Sequence, residues 1–548
     1  MGGTVGYNFI SCDRDQQFLM PPSLDQWLPK DHLARFVIEM VDMLDLSEFY
    51  ARRRSDGWGR AAYDPKMMVA LLIYAYATGT RSSRKIETRL IEDVAFRFIA
   101  ANETPDHATV ARFAKDHEDE LADLFDQVLR LAVEVGLVKV GLVALDSTRV
   151  KADASPGANH GMDWIRREVD KIIKEARAID DEEDRRAASS PDDIPEELIE
   201  PDSRLARLVA AKARLDDDAA RRQAAYEAKL RAREEHKART GKGMTGRKPK
   251  PPDERLRDTE RSKKSNTTDP DSRIVSSANG GYLQGFTGQA IATEDQITIA
   301  CGVTNESTDF AQLGPMIEQA AGNLKTAGAT EAISIVAADA GYLSDDNLAL
   351  EAGLEVELLI ATKSRKQAGS NTERPRGRIP KGLTRTQLME RKLKTKRGEH
   401  LYRKRAASIE PVFGQQRQRG MGTFRRRGLK ACDCEWRFEH AVHNLLKIRT
   451  SGRWTSTGET RTTRDSSRQQ SITGHSAVPA PTQQFLRQPL KCRNSSRTGR
   501  LVCPMGAGQV PGRDEMEFQG LFSRTPFYHS LGAVLCESGR SHDDIGGS

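Results

Sequence analysis

Short apolar runs alternate with helical patterns over residues 136–450, and this alternation limits the possible folds more than any other feature of the chain. Val138–Asp146 (VKVGLVALD) and Ala332–Asp339 (AISIVAAD) are short, apolar and rich in β-branched residues, which is the pattern of buried strands. Segments with helical spacing lie nearby, over residues 313–324 and 345–352. Strands interleaved with helices around one sheet predict an α/β domain.

The α/β pattern is interrupted from about residue 160 to about residue 260. This segment is rich in Ala, Arg, Glu and Asp, as in RLARLVAAKARLDDDAARRQAAYEAKLRAREEHKA. Helix propensity and i,i+4 charge pairs favour one or two long helices, but so few large apolar residues do not form a core of their own. We therefore predict a helical arm inserted into the α/β domain. After a Gly/Pro/Lys linker, three extended segments over residues 273–304 predict consecutive strands.

Residues 1–135 carry mainly helical patterns. Leu33–Phe49 and Pro65–Ala77 space their apolar residues at three and four, as amphipathic helices do, and Pro65 suits a first helical turn. Thr104 is a candidate N-cap for a further helix containing ATVARF. Short helices of this kind form either a helix-turn-helix-like DNA-binding unit or a plain bundle, and periodicity does not separate the two. An all-α domain is thus predicted ahead of the α/β domain.

The composition changes again after residue 450. Residues 451–548 are rich in Ser, Thr, Arg, Gln and Pro and show no sustained period. Such a segment buries too little apolar surface to offset the entropy of ordering it. We predict that this tail is largely disordered.

Three features bear on the compartment of the protein. The chain has no run of about 18 apolar residues, which argues against a membrane span. Residues 1–15 show no basic stretch followed by an apolar block, so a secretory signal is not expected. The seven cysteines are scattered and odd in number, which favours a reducing compartment over a disulfide framework. A cytoplasmic protein without a membrane partner is expected.

Positive charge is concentrated in one part of the chain. Residues 361–430 contain 22 Lys and Arg against four Glu and no Asp, while the whole chain has a net charge of only +7. Such a concentration is typical of a surface that contacts phosphate groups of nucleic acid, and a solvated charged face is the alternative. Arg425, Arg426 and Arg427 are the candidate DNA-binding residues at its C-terminal end.

Three acidic residues occupy similar places in the predicted structure. Asp146 and Asp339 each end a predicted strand, and Glu410 lies on a helix predicted over residues 402–418. Strand ends of an open α/β sheet are where ligands collect, and carboxylates are ligands that Mg²⁺ prefers. Two such ions about 4 Å apart activate an attacking hydroxyl and stabilise the leaving oxygen of a phosphoryl transfer. Among 78 acidic residues some end strands by chance, so position alone does not establish a site.

The sequences around these acids resemble those of a known family. LDSTRVKADAS, VAADAGYLS and IEPVFGQQRQRGMGTFRRRGL, followed by EWRFEHAVHNLLKI, look like the three blocks of insertion-sequence DDE transposases. LPKDHLARFVIEMVDMLDL, YDPKMMVALLIYAYATG and TPDHATVARF are similar to the helical domain that these proteins carry ahead of the catalytic core. The resemblance covers about residues 15–450, with the blocks in the expected order.

The resemblance implies an RNase H-like α/β catalytic domain that depends on Mg²⁺ or Mn²⁺. By match to the motif, Asp146, Asp339 and Glu410 are the catalytic and metal-binding acids. The expected partners are double-stranded DNA, both at the terminal inverted repeats and at the target, and a second copy of the chain in a homodimer.

The family also places a Tyr and an Arg before the third acid and a basic residue seven positions after it. Tyr402, Arg405 and Arg417 are the counterparts here, although the gap from Arg405 to Glu410 is one residue longer than in the common signature. Cations on that helix are suited to hold a DNA phosphate beside the metals, and a surface arginine is the alternative at both positions.

Other candidates and functions are less favoured. Cys432, Cys434, His440 and His443 are of zinc-ligand types, but a Cys-x-Cys pair running into helical His residues is not a usual zinc-finger spacing. Asp153 lies in a second extended piece, TRVKADAS, that follows Asp146; it is either a spare carboxylate or a solvated strand residue, and the latter is favoured. Two other functions fit the same three acids, namely a metal-dependent nuclease that only hydrolyses DNA and a catalytically inactive DNA-binding remnant.

Overall fold

The computed structural model describes residues 23–52, 62–186, 203–244, 246, 248–249, 251, 264–276, 280–306, 308–362 and 374–454. Most of the tail predicted to be disordered over residues 451–548 lies outside the described residues, which include only 451–454 of it.

Eight described helices lie ahead of the first strand. They are α1 Leu24–Trp27, α2 Leu33–Asp42, α3 Ser47–Ala51, α4 Pro65–Ala77, α5 Ser83–Glu92, α6 Val94–Ile99, α7 His107–Asp116 and α8 Glu118–Glu134. Helix α4 has the predicted bounds, and the Asp64 carboxylate caps it by accepting a hydrogen bond from the Lys66 backbone N–H at 2.9 Å. The cap of α7 is Asp106 rather than the predicted Thr104, because the Asp106 carboxylate accepts from the Thr109 N–H at 2.6 Å.

The helix predicted over Leu33–Phe49 is wrong in one respect, since the structure divides it into α2 and α3. Between them, the Asp45 backbone N–H donates to Gln127 Oε1 on α8 at 2.7 Å, and the Asp45 carbonyl accepts from Gln127 Nε2 at 3.0 Å. The Asp45 carboxylate accepts from the Ser47 N–H at 3.0 Å at the start of α3. Gln127 on α8 therefore stabilises the non-helical residues between α2 and α3, and the apolar spacing of Leu33–Phe49 does not reveal this contact.

The second part of the chain is built on a six-stranded mixed sheet. Its strands are β1 Leu142–Lys151, β4 Arg273–Ser276, β5 Tyr282–Thr293, β6 Thr298–Thr304, β7 Ile335–Ala338 and β8 Glu357–Ile360, while β2 Asn159–Gly161 and β3 Lys264–Asn266 form a separate pair. Strand β1 is central, antiparallel to β5 and parallel to β7, and β7 is parallel to β8. Strands β4 and β6 both pair antiparallel with β5. The predicted α/β core preceded by a helical region is confirmed.

Strand β1 begins four residues later and ends five residues later than the predicted strand Val138–Asp146. The sequence pattern ended a strand at Asp146 and began a second extended piece after it, whereas the structure has one strand that continues to Lys151. The antiparallel partner β5 pairs with β1 over Val143–Lys151, while the parallel partner β7 pairs only over Leu142–Leu145. Asp146 is therefore the first residue beyond the parallel ladder rather than the last residue of the strand.

Seven further helices are described. They are α9 Met162–Arg186, α10 Arg204–Thr240, α11 Leu313–Thr326, α12 Asp345–Leu354, α13 Arg385–Leu393, α14 Lys396–Gln418 and α15 Leu429–Thr450. Helices α9 and α10 lie within the segment predicted as an arm, and they share a small apolar cluster separate from the main core, formed by Ile165, Leu208, Ala211 and Leu215. Among the described helices, none combines the length and the apolar character that a membrane crossing requires.

One continuous hydrophobic core joins the N-terminal helices to the sheet. Helix α15 contributes the fully buried Trp436, whose Nε1 donates to the Gln289 carbonyl on β5 at 3.0 Å. A Cβ at Gly288 would lie 2.7 Å from the Trp436 ring, so the sheet needs glycine where this indole lies on it. Helix α15 thereby closes one face of the sheet over the middle of β5.

Candidate active site

Asp146 and Asp339 each come directly after the paired ends of two neighbouring strands. Leu145 of β1 is paired with Ala338 of β7, and each aspartate is the next residue along its strand direction. Because side chains at the same register of paired strands lie on the same face, the two carboxylates share one face of the sheet at the end of the parallel ladder. The Asp339 carboxylate also accepts from the Gly341 backbone N–H at 2.9 Å and so caps the short helical turn that follows β7.

Asp146 is mostly buried, with 17% of its side chain exposed. Its Oδ1 accepts from the Ser147 N–H at 2.8 Å, and its Oδ2 accepts from Arg405 Nη1 at 2.8 Å. Burial raises the pKa of Asp146 and the nearby Asp339 carboxylate raises it further, while Arg405 and the Ser147 hydrogen bond oppose the increase. A further cation close to Asp146 would favour its ionised form.

Arg405 links the first and third predicted acids. It lies on α14 with only 9% of its side chain exposed, and its Nη2 is 3.8 Å from Glu410 Oε1 while its Nη1 binds Asp146. Burial alone would lower the pKa of Arg405, but Asp146 and Tyr402 raise it overall, so the guanidinium is cationic. Glu410 is more open, with 46% of its side chain exposed.

Of the other two residues predicted on α14, Tyr402 lies beside Arg405 and Arg417 contacts β1. The Arg405 guanidinium carbon lies 5.9 Å from the centre of the Tyr402 ring, and burial raises the pKa of Tyr402. Arg417 Nη2 donates to Thr148 Oγ1, two residues after Asp146 on β1, at 2.5 Å. Tyr402, Arg405 and Arg417 are therefore grouped beside the acids, although in this structure the two arginines bind protein groups.

The donor set suits a divalent metal ion, since carboxylate oxygens are the ligands that Mg²⁺ and Mn²⁺ prefer. Within the described part of the chain, no three His, Cys, Asp or Glu side chains are already arranged to hold one, and Arg405 is the cation bound to Asp146. Oxygens of two carboxylates converge on Gly341, where a Cβ would be 3.1 Å from Asp339 Oδ1 and 3.3 Å from Asp309 Oδ2. The residues present therefore fit a divalent ion on the Asp339 side of the site.

Asp309 is a residue that the sequence analysis missed. It lies just before a short helical turn, Phe310–Gln312, after β6, where no strand end or motif marked it. Its ion pair with Arg149 on β1 and its hydrogen bond from Gln289 on β5 are contacts between distant parts of the chain. The only local signal was an acid followed by a helix, which is also the signal of an ordinary helix start.

The zinc-type residues have structural roles instead. His440 Nδ1 lies 3.0 Å from Thr298 Oγ1, and His443 Nε2 lies 2.9 Å from the Gln296 carbonyl oxygen. Burial lowers the pKa of His443 to about 3, so this imidazole is neutral. Burial likewise raises the pKa of Cys434 to about 12, so its thiol is protonated. The two histidines thus hydrogen-bond to the first residue of β6 and to the turn that precedes it.

The three consecutive arginines after α14 differ in their surroundings. Arg426 is half-buried, pairs with Glu118 and donates to the Ala114 carbonyl at 2.9 Å. Arg427 pairs with Asp153 at 2.9 Å, on the loop after β1 rather than on the strand where Asp153 was predicted. The exposed side chain of Arg425 makes no hydrogen bond or ion pair with the described residues. Arg425 is therefore the arginine of the three with a guanidinium open to a ligand.

Comparison with known families gives two matches. Residues 22–116 match the family model described as "Transposase domain (DUF772)", and residues 369–449 match the model described as "Transposase DDE domain". The second match contains Tyr402, Arg405, Glu410 and Arg417, whereas Asp146 and Asp339 lie outside both matched segments. No curated protein and no solved structure matches the chain.

Proposed function

We propose that this protein is a DNA transposase that binds terminal inverted repeats. Its N-terminal transposase domain and its transposase DDE domain are consistent with an insertion-sequence DDE transposase. It catalyses metal-dependent strand cleavage and strand transfer with Asp146, Asp339 and Glu410, on a core of the RNase H-like kind. The observation that supports this best is that Asp146 and Asp339 each follow the last pair, Leu145 with Ala338, of two neighbouring parallel strands, with Arg405 between Asp146 and Glu410.

The proposed division of labour follows from the contacts. Asp146, Asp339 and Glu410 are the groups that would hold Mg²⁺ or Mn²⁺, which when bound activates the attacking oxygen and stabilises the leaving oxygen. Arg405 and Arg417 lie on α14, the helix that carries Glu410. Arg guanidinium groups bind phosphate through two parallel hydrogen bonds. We propose that a DNA phosphate takes both arginines from their present partners, Asp146 and Thr148. Binding of DNA would then free Asp146 for the metal.

The proposed partners are double-stranded DNA at the element ends and at the target, and a second copy of the chain on the DNA. The proposed compartment is the cytoplasm. The basic stretch over residues 361–430 supports the DNA partner, because neutralising phosphates releases counterions and contributes strongly to affinity.

A binding and cleavage experiment tests the function. The full-length chain is incubated with duplexes taken from the DNA on either side of its gene and with random duplexes of equal length. We expect tighter binding to the flanking DNA than to random DNA in a gel-shift assay. With Mg²⁺ or Mn²⁺ present, we expect cleavage at the repeat ends and joining of the 3′ ends to a target. Cleavage of both duplexes without joining would favour the nuclease instead. Specific binding without cleavage would favour the inactive remnant.

Salt dependence tests the arginines that follow α14. Arg425→Ala is expected to reduce the slope of log K against log salt by about 0.9, the value for one lost phosphate contact on duplex DNA. Arg426→Ala is the matched control, because its guanidinium already binds Glu118 and the Ala114 carbonyl, so its removal should leave the slope unchanged. Equal slopes for wild type and Arg425→Ala would assign Arg425 to a solvated face.

A further inference from the structure

We propose that Asp309 is a fourth carboxylate of the metal site, and that a divalent cation binds between Asp309 and Asp339 in the space left by Gly341. This inference rests on the proposed function, since it adds a ligand to the site proposed there. Asp309 belongs to neither of the strands that carry Asp146 and Asp339 and to neither matched transposase segment.

The orientation of the Asp309 carboxylate is held by contacts to two strands. Gln289 Nε2 on β5 donates to Asp309 Oδ1 at 2.9 Å, and the Arg149 guanidinium on β1 lies 3.4 Å from each carboxylate oxygen. Gln289 is itself fixed, because its Oε1 accepts a hydrogen bond from the buried Tyr342 hydroxyl. With Oδ1 bound to Gln289, Oδ2 is the oxygen directed toward Gly341.

Gly341 leaves open the space that Asp309 and Asp339 share. A Cβ there would lie 3.1 Å from Asp339 Oδ1 and 3.3 Å from Asp309 Oδ2, so oxygens of both carboxylates border the same small volume. Oxygen ligands lie about 2.0–2.6 Å from Mg²⁺ or Ca²⁺, so both side chains would have to turn toward the ion to bind it together. The backbone of Gly341 does not have a positive φ, so the conformation does not itself demand glycine. Glycine is needed at this position because a side chain would crowd the two carboxylates.

The charge balance of the cluster favours a cation. Burial raises the pKa of Tyr342, and the negative charges of Asp309, Asp146 and Asp339 raise it further. Arg149 and Arg405 are the guanidinium groups paired with this cluster, one with Asp309 and one with Asp146. Neither ion pair includes Asp339, so among the described residues the group Asp146, Asp309 and Asp339 has more carboxylates than paired guanidinium groups. Clustered carboxylates repel one another unless a cation lies between them.

Calcium binding to the full-length chain without DNA tests the proposal. Ca²⁺ is titrated by calorimetry into wild type, Asp309→Asn, Asp339→Asn, Asp146→Asn and Asp346→Asn, with the melting temperature of each metal-free variant measured in parallel. We expect Asp309→Asn and Asp339→Asn each to weaken Ca²⁺ binding by at least about tenfold, as loss of a supporting or direct metal contact does. Asp346→Asn is the matched control, because it removes the same charge from an exposed position on α12 and should bind as wild type does.

A second variant keeps every carboxylate. Gly341→Ala places a methyl group between the two carboxylates and is expected to weaken Ca²⁺ binding by at least about tenfold with little change in the metal-free melting temperature. Gly322→Ala on α11 is its control, because nothing lies within 4 Å of a Cβ there. If Asp309→Asn fails to fold, Gly341→Ala decides the question alone.

The outcomes separate this inference from the proposed function. Wild-type affinity in Asp309→Asn or in Gly341→Ala, with binding lost in Asp339→Asn, overturns the fourth carboxylate and leaves the three-acid site standing. Wild-type affinity in Asp339→Asn and in Asp146→Asn as well, or no Ca²⁺ uptake by the wild type, contradicts the proposed metal site itself.

Discussion

Replacing Asp146, Asp339 or Glu410 by alanine is expected to lower strand cleavage by at least about a thousandfold while DNA binding stays close to wild type. Loss of a ligand removes several kcal/mol of charge stabilisation from the transition state, and each 1.36 kcal/mol is about a factor of ten in rate. Cleavage of end-labelled inverted-repeat duplexes in Mg²⁺ or Mn²⁺ measures the rate, and a gel-shift assay in Ca²⁺ measures the binding. Retained cleavage in Glu410→Ala would remove it from the catalytic set.

The same variants should differ in stability, for a reason visible in the contacts. Asp146→Ala leaves the buried Arg405 guanidinium without its 2.8 Å partner, so the variant should be destabilised. Asp339→Ala removes a carboxylate that lies beside Asp146, so relief of repulsion offsets its lost contacts. Asp153→Ala is the control for both, because its ion pair with Arg427 is half exposed on both sides and such pairs contribute little.

Replacing Glu435 by alanine is expected to destabilise the fold by about 3–5 kcal/mol, the usual cost of leaving one member of a buried ion pair unpartnered. Glu435 Oε1 pairs with Arg81, and each side chain is only 2% exposed. Glu435 Oε2 accepts from the Arg425 and Arg426 backbone N–H groups at 2.8 and 3.2 Å. Urea unfolding measured by circular dichroism gives the free energy of unfolding.

The control for Glu435 lies on the same helix. Lys430 pairs with Asp119 at the surface, with 70% and 51% of the two side chains exposed, so Lys430→Ala should cost less than about 1 kcal/mol. The double variant Arg81→Met with Glu435→Leu should recover much of the stability, because matched apolar side chains leave no buried charge. A loss below about 1 kcal/mol in Glu435→Ala would mean that water reaches the pair.

The Arg81–Glu435 pair also joins the two parts of the chain. Arg81 lies between α4 and α5, and its Nη1 donates to the Gly420 and Thr423 carbonyls at 2.6 and 3.1 Å, in the turn that follows α14. The same turn is bonded to the end of β1, where the Lys151 N–H donates to the Gly422 carbonyl at 3.0 Å. The N-terminal helices are thereby connected to the helix that carries Glu410 and to the strand that carries Asp146.

The type of most elements was predictable from local patterns. Residues 65–77 and 335–338 have the apolar spacing of a helix and of a buried strand, and the structure has a helix and a strand there. The length of β1 was not predictable, because β5, which follows the arm, supplies the partner that extends it to Lys151. Asp309 was missed for a similar reason, since its neighbours Arg149 and Gln289 lie on two other strands.

The sequence by itself determined the order of helical and α/β parts, the candidate acids and the basic residues near Glu410, because hydrophobic period and residue chemistry are local properties. The tertiary structure alone decided that Arg405 binds Asp146 across 259 residues of chain and that Asp309 borders the space over Gly341. Contacts of this kind depend on strand register and helix packing, in which many weak interactions act together. No short stretch of residues encodes them.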